Sequence, residues 1–182
     1  MANNTAKLSF ASFALGVILA CGGGSSNSDA SRLTYTNPTQ GEYRLVEVVG
    51  GAGAGAVTLA LRGPSSVAAR GANFGLSIDG AKVGYVKQGA NYAGQGTVFD
   101  LGADPKIFRA VLDAGSLRVS MAQKGNSVEA KPLNGDIATV QLQLQPGAQK
   151  GSVQLAALSA KVLLENGTEQ TVQVSVGKLE AQ

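Results

Sequence analysis

Ala138-Thr139-Val140-Gln141-Leu142-Gln143-Leu144-Gln145 alternates apolar and polar residues along its whole length. A period of two sends successive side chains to opposite faces of a strand, so this segment has one buried face and one wet face. The same alternation recurs on both sides of it. Val57, Leu59 and Leu61 share a face, as do Phe74, Leu76 and Ile78, then Leu117, Val119 and Met121, then Val172, Val174 and Val176. Weaker strand patterns cover residues 43–49, 82–86, 108–112, 152–155 and 160–164. Between these runs stand turn formers: Asp79-Gly80, Ala114-Gly115, Pro146-Gly147 and Asn166-Gly167. Asn166-Gly167 predicts a type I′ turn closing a hairpin between residues 160–164 and 170–176. No long stretch holds a helical period, although residues 103–110 have room for one short turn.

About nine or ten antiparallel strands of this kind predict an all-β chain folded as a single β-sandwich. Its expected span is residues 41–182, large enough to bury a core without a disulfide. Composition agrees: 25 glycines and only 15% charged residues suit a turn-rich β protein. Formal net charge is +3, and Arg44, Arg62, Arg70, Arg109 and Arg118 are scattered, which argues against nucleic acid. Histidine is absent, which removes Ser-His and Cys-His catalysis and any imidazole metal site. No cofactor is implied, and the expectation is a protein that is not an enzyme.

The N-terminal region reads differently. Lys7 supplies a positive charge, residues 8–19 are apolar, and Ile18-Leu19-Ala20 precedes Cys21, the only cysteine. A run of about 12 residues falls short of the roughly 20 that span a bilayer, and it fits the h-region of an export signal. Ile18-Leu19-Ala20-Cys21 resembles the lipobox of a bacterial lipoprotein. That resemblance implies cleavage after residue 20, acylation at Cys21 with palmitate-type chains, and a lipid anchor. Gly22 follows the cysteine where retention at the inner membrane would favour Asp, so the resemblance implies the outer membrane, on either its periplasmic or its surface side. A lone thiol in an exported chain has no internal disulfide partner, which agrees. Residues 21–40 begin Gly22-Gly23-Gly24-Ser25-Ser26-Asn27-Ser28 and stay small and polar, so they are read as a flexible tether.

Three stretches resemble cohesin domains, jelly-roll β-sandwiches related in fold to carbohydrate-binding modules. They are Asn73-Phe74-Gly75-Leu76-Ser77-Ile78-Asp79, Gly115-Ser116-Leu117-Arg118-Val119-Ser120-Met121, and Gly135-Asp136-Ile137 running into the segment quoted first. The resemblance implies a non-catalytic binding or scaffolding domain whose partner is an envelope or surface protein. The other functions in view are a carbohydrate-binding or accessory envelope enzyme subunit and a structural subunit of a surface filament or secretion machine.

Individual residues suggest narrower sites, each with a plainer reading. Thr139, Gln141, Gln143 and Gln145 form an uncharged polar ladder, which is a wet sheet face or a partner face. Tyr92 stands in a glycine-rich segment between Tyr85 and Phe99, where an exposed ring could stack on a sugar; the plainer reading puts Tyr85 and Phe99 in the core. Asp100 and Asp104 are four apart beside Pro105, as a calcium loop or, more simply, a polar turn. Asp79, Asp100, Asp113, Glu129 and Asp136 supply carboxylates for glycoside hydrolysis, but nothing pairs two of them. Gly50-Gly51-Ala52-Gly53-Ala54-Gly55 has phosphate-loop glycines but no Lys-Ser/Thr and no helix after it.

Overall fold

The computed structural model describes residues 28–50, 52–99, 108–123 and 129–182. Residues 1–20, Cys21, Asp100 and Asp104 lie outside the described residues. In chain order the strands are β1 (Leu33–Thr36), β2 (Tyr43–Glu47), β3 (Ala56–Arg62), β4 (Ala68–Ile78) and β5 (Val83–Tyr85). Then come β6 (Gly94–Gln95), β7 (Phe108–Asp113), β8 (Ser116–Ala122), β9 (Lys131–Pro132) and β10 (Ala138–Leu144). The last are β11 (Gly151–Val153), β12 (Leu155–Leu164), β13 (Glu169–Val172), β14 (Val174–Ser175) and β15 (Lys178–Ala181).

Two sheets face each other. One runs β14-β2-β3-β10-β5, with β6 also on β10; the other runs β13-β12-β4-β8-β7, with β9 on β4. A small third sheet, β1-β15-β11, closes one side. The expected β-sandwich is therefore the observed architecture. The described strands outnumber the nine or ten expected because several are fragments of two to four residues, too short to show a period.

The alternation quoted at the outset works as expected. Val140 and Leu142 point inward beside Leu59 and Leu45 and are fully buried, while Phe74, Leu76, Leu117 and Val119 fill the core from the other sheet. Each such side chain stabilises the fold by about 1.5–3 kcal/mol relative to exposure.

Three expectations need correction. First, the domain does not begin at residue 41. Asp29 bridges Gln149, the Ala30 N–H donates to the Ala148 carbonyl, and β1 pairs along its length with β15. Leu33 and Tyr35 are buried. Two apolar residues alternating with Thr34 and Thr36 were too brief a pattern to separate from the polar residues before them. The tether reading thus holds nothing beyond residue 28.

Second, the type I′ turn is elsewhere. Ala114 and Gly115 both have positive φ, 47° and 79°, and join Asp113 directly to Ser116. At the expected site Gly167 has φ 82° while Asn166 keeps an ordinary φ. The Gly167 N–H donates to the Leu164 carbonyl, and the Leu164 N–H to that of Thr168. This is a three-residue loop with a bulge. The hairpin itself pairs as expected, Ala160 with Val172 and Val162 with Gln170.

Third, residues 172–176 are not one strand. The chain breaks at Gln173 and changes sheets: β13 pairs with β12, and β14 lies parallel to β2 on the facing sheet. The sandwich is antiparallel but for this one pairing among the described strands.

Candidate functional site

The polar ladder lies where its period requires, on the outward face of β10. Thr139 is level with Ala60 of β3, Gln141 with Thr58 and Gln143 with Ala56. Gln145 falls beyond the end of β10, its amide lying over Gly84. Small neighbours make this face flat. Its one charged rim is at Arg44 and Arg62, directly opposed, with the Arg62 guanidinium held by Asp136 at 2.6 Å.

Tyr92 is not an open platform. It packs against the core, its N–H donates to the Ala110 carbonyl, and the Lys87 ammonium stands 5.8 Å from its ring centre. A ring already engaged with a cation on one face has less left to offer a sugar. Phe99 is buried, and the Tyr85 hydroxyl donates to the Leu76 carbonyl at 3.0 Å. Burial pushes the Tyr85 hydroxyl well above the ordinary phenol range.

Three of the candidate carboxylates are in local use. Asp79 accepts the Ala81 N–H in a turn, Asp136 holds Arg62, and Glu129 pairs loosely with Lys131. Among the described residues no three of Asp, Glu, Cys or His gather as metal ligands. The glycine-rich loop runs from β2 into β3 rather than into a helix. Among the described residues no helix is long and apolar enough to cross a membrane.

The opposite face, outside β12-β4-β8-β7, is chemically different. Leu158 sits in a bulge of β12 between Ala157 and Ala160 and lies over Gly75. Across the sheet Gly75 pairs with Arg118, and Arg118 with Val111 on the edge strand β7. Leu158 and Val111 are each 42% exposed, whereas none of the ladder's neighbours is an exposed large apolar residue. Beside this row Asn73 donates to Ser120 at 2.8 Å, and Lys161 pairs with Glu169 at 2.8 Å. Those four side chains surround a depression of about 170 Å³. Arg109 and Arg118 have no ion-pair partner among the described residues. The face therefore offers two apolar contacts with Arg109 and Arg118 beside them and Asp113 at the end of β7.

Sequence reasoning missed this face. Arg118 and Val111 fall on the polar side of their alternations, where they read as ordinary surface. Leu158 was hidden by the bulge, which shifts the phase of β12 and turns an apolar residue outward.

No protein-family model matches the chain, and no curated protein matches it. Solved structures do. The sixth cohesin of Acetivibrio cellulolyticus scaffoldin B, solved with a dockerin, superposes with TM-score 0.56 at 17% identity, covering 77% of this chain and 97% of its own. A type II cohesin from the cellulosome of the same organism gives 0.56 at 16%, covering 77% and 94%. A cohesin–dockerin complex of Clostridium thermocellum gives 0.56 at 10%, covering 79% and 95%. At these identities the likeness is one of fold.

Proposed function

We propose that this cohesin-like sandwich is a non-catalytic binding or scaffolding domain, held at the outer membrane by lipid on Cys21, and that its partner is a protein. The observation that carries the reading is the outer face of β12-β4-β8-β7. Leu158 and Val111 lie about three strand spacings apart there, roughly 14 Å, with Arg118 between them. Apolar anchors within a polar rim are the usual anatomy of a protein interface. The unpaired Arg109 and Arg118 call for carboxylates on the partner. The domains this fold resembles include several solved in complex with dockerins, which supports a protein rather than a glycan.

The test is a pull-down from envelope extract with the full chain and two paired variants. Arg118→Glu with Leu158→Ser is expected to lose the partner that the native chain retains. Gln141→Ala with Gln143→Ala is expected to keep it. The reverse outcome would assign the partner to the polar ladder. Retention of a glycan but no protein, lost on Tyr92→Ala, would overturn the reading in favour of carbohydrate binding.

A further inference from the structure

We infer that the pole at which the chain enters the sandwich rests on the lipid surface, with Val49 as its point of contact. The inference depends on the anchor at Cys21 and adds an orientation to it.

Several contacts define this pole. Ser31 and Arg32 donate their N–H groups to the Gln182 carbonyl, and Ala30 donates to Ala148. Leu33 donates to the Ala54 carbonyl, which places the loop between β2 and β3 at the point of entry. Leu144 donates to Gly55 and Gln145 to Lys82, adding the end of β10 and the turn before β5.

Val49 stands on this loop and is 93% exposed, against 37–42% for the other exposed large apolar side chains. No packing within the domain accounts for it. The described loop residues Val48, Gly50, Ala52, Gly53, Ala54 and Gly55 bring neither charge nor a polar side chain, and the nearest charge along the chain is Glu47, the last residue of β2. Such a tip can enter an interface without stripping water from a polar group. Around it the exposed Arg32 and Lys150 supply positive charge. Of the acids at this pole, Asp29 is engaged by the Gln149 amide at 2.9 Å and Asp79 accepts the Ala81 N–H in its own turn. Basic side chains flanking an apolar tip suit anionic headgroups.

Chain length points the same way. Asp29, the first of the described residues to be stitched into the fold, is eight residues from Cys21. Fully extended, eight residues reach at most about 25–30 Å. An acylated Cys21 therefore ties this pole, and not the far end, within about 25–30 Å of the headgroups. The β12–β13 turn at Glu165 lies at the far end, because β12 begins beside Gln154 and Asp79 at the near one. The face with Arg118 and Leu158 then stands upright from the membrane, open to a partner.

The chain has no tryptophan, so a single introduced one reports alone. The acylated full chain carrying Val49→Trp, and separately Glu165→Trp, would be reconstituted into phosphatidylethanolamine–phosphatidylglycerol vesicles with brominated acyl chains. Expected is a blue shift and loss of most emission at position 49, with emission at 165 unchanged. If both variants float with the vesicles and neither is quenched, the docking is wrong while the anchor stands. If the chain bears no acyl group and does not float, the anchor itself falls. A blue shift at 49 without vesicles would mean contact with a second copy and would overturn the proposal.

Discussion

The Tyr35 hydroxyl accepts the Gly177 N–H at 2.6 Å and donates to the Leu45 carbonyl at 2.9 Å. One buried side chain thereby ties the small β1-β15-β11 sheet to β2 in the main sandwich, at the corner where the chain leaves β14 for β15. A Cβ on Gly177 would stand 1.8 Å from the Thr36 carbonyl oxygen and 3.0 Å from the Tyr35 ring. Only glycine lets the two strands approach this closely. Gly177→Ala is expected to destabilise by about 1–3 kcal/mol through overpacking. Tyr35→Phe removes both bonds and leaves a buried donor and acceptor, at about 1–3 kcal/mol. Calorimetry should show Tm falling by roughly 2–4 °C per kcal/mol at this chain size. An unchanged Tm for both would mean that β1 and β15 are not part of the cooperative fold.

Alkali should unfold this protein early. Burial raises the hydroxyls of Tyr85, Tyr35 and Tyr43 above their ordinary value. For Tyr35 the Gly177 N–H opposes the rise without cancelling it. A phenol whose folded pKa is raised binds its proton more tightly in the native state than in the unfolded chain. Its contribution is complete below the unfolded value of about 10 and is lost as pH climbs from there. Tm is therefore expected to be level through neutral pH and to fall steeply above about pH 10. Phenolate absorbance from Tyr35, Tyr43 and Tyr85 should rise with unfolding rather than before it. Three tyrosines titrating smoothly in the folded protein would contradict this.

Ala114 offers the opposite kind of change. Its φ of 47° lies in the left-handed region, the only such non-glycine among the described residues. An alanine there costs about 1–2 kcal/mol, and Asn tolerates the conformation better. Ala114→Asn is expected to raise stability by about 0.5–1 kcal/mol in urea denaturation, with the m-value unchanged. A loss of stability would show that the β7–β8 turn is not the two-residue type described above.

What the sequence made legible, and what it hid, divides along physical lines. The long alternations at residues 57–61, 117–121 and 138–144 showed their strands because one face is packed and the other wet. β1 and β15 escaped notice because each holds only a pair of inward residues, Leu33 with Tyr35 and Leu179 with Ala181. The first part of β4, Ala68-Ala69-Arg70-Gly71-Ala72, escaped for another reason: it is alanine and glycine around Arg70, and a bulge between Ala69 and Gly71 breaks its alternation. Turn type was the weakest reading. Asn166-Gly167 has the favoured residues, but the paired strands leave three residues between Leu164 and Thr168, and loop length outranks composition. The polar ladder stands on the outward side of β10, as a period of two requires. The more distinctive surface depended on Leu158, whose direction is set by a bulge that no local pattern announces.

The edge of the second sheet supplies the last test. β7 is an end strand, and Val111 and Leu112 on it are 42% and 37% exposed. An uncovered edge with apolar residues invites pairing with another chain. Here the Asn91 side-chain oxygen accepts the Ala110 N–H at 3.0 Å, and the Ala110 carbonyl accepts the Tyr92 N–H at 3.3 Å. The segment therefore caps both backbone groups of the strand's central residue. It is itself held by the Gln88–Asn91 backbone pair and by Lys87 over the Tyr92 ring. Asn91→Ala removes the acceptor but leaves the hydrophobic core untouched. Expected are faster hydrogen exchange at Ala110, by roughly tenfold for a bond of about 1.4 kcal/mol, and concentration-dependent self-association in gel filtration. Val111→Lys added to that variant should restore the monomer, because a charge on an edge strand opposes pairing. Faster exchange without self-association would mean that the edge is closed by something other than Asn91. Unchanged exchange would mean that Ala110 is protected without it.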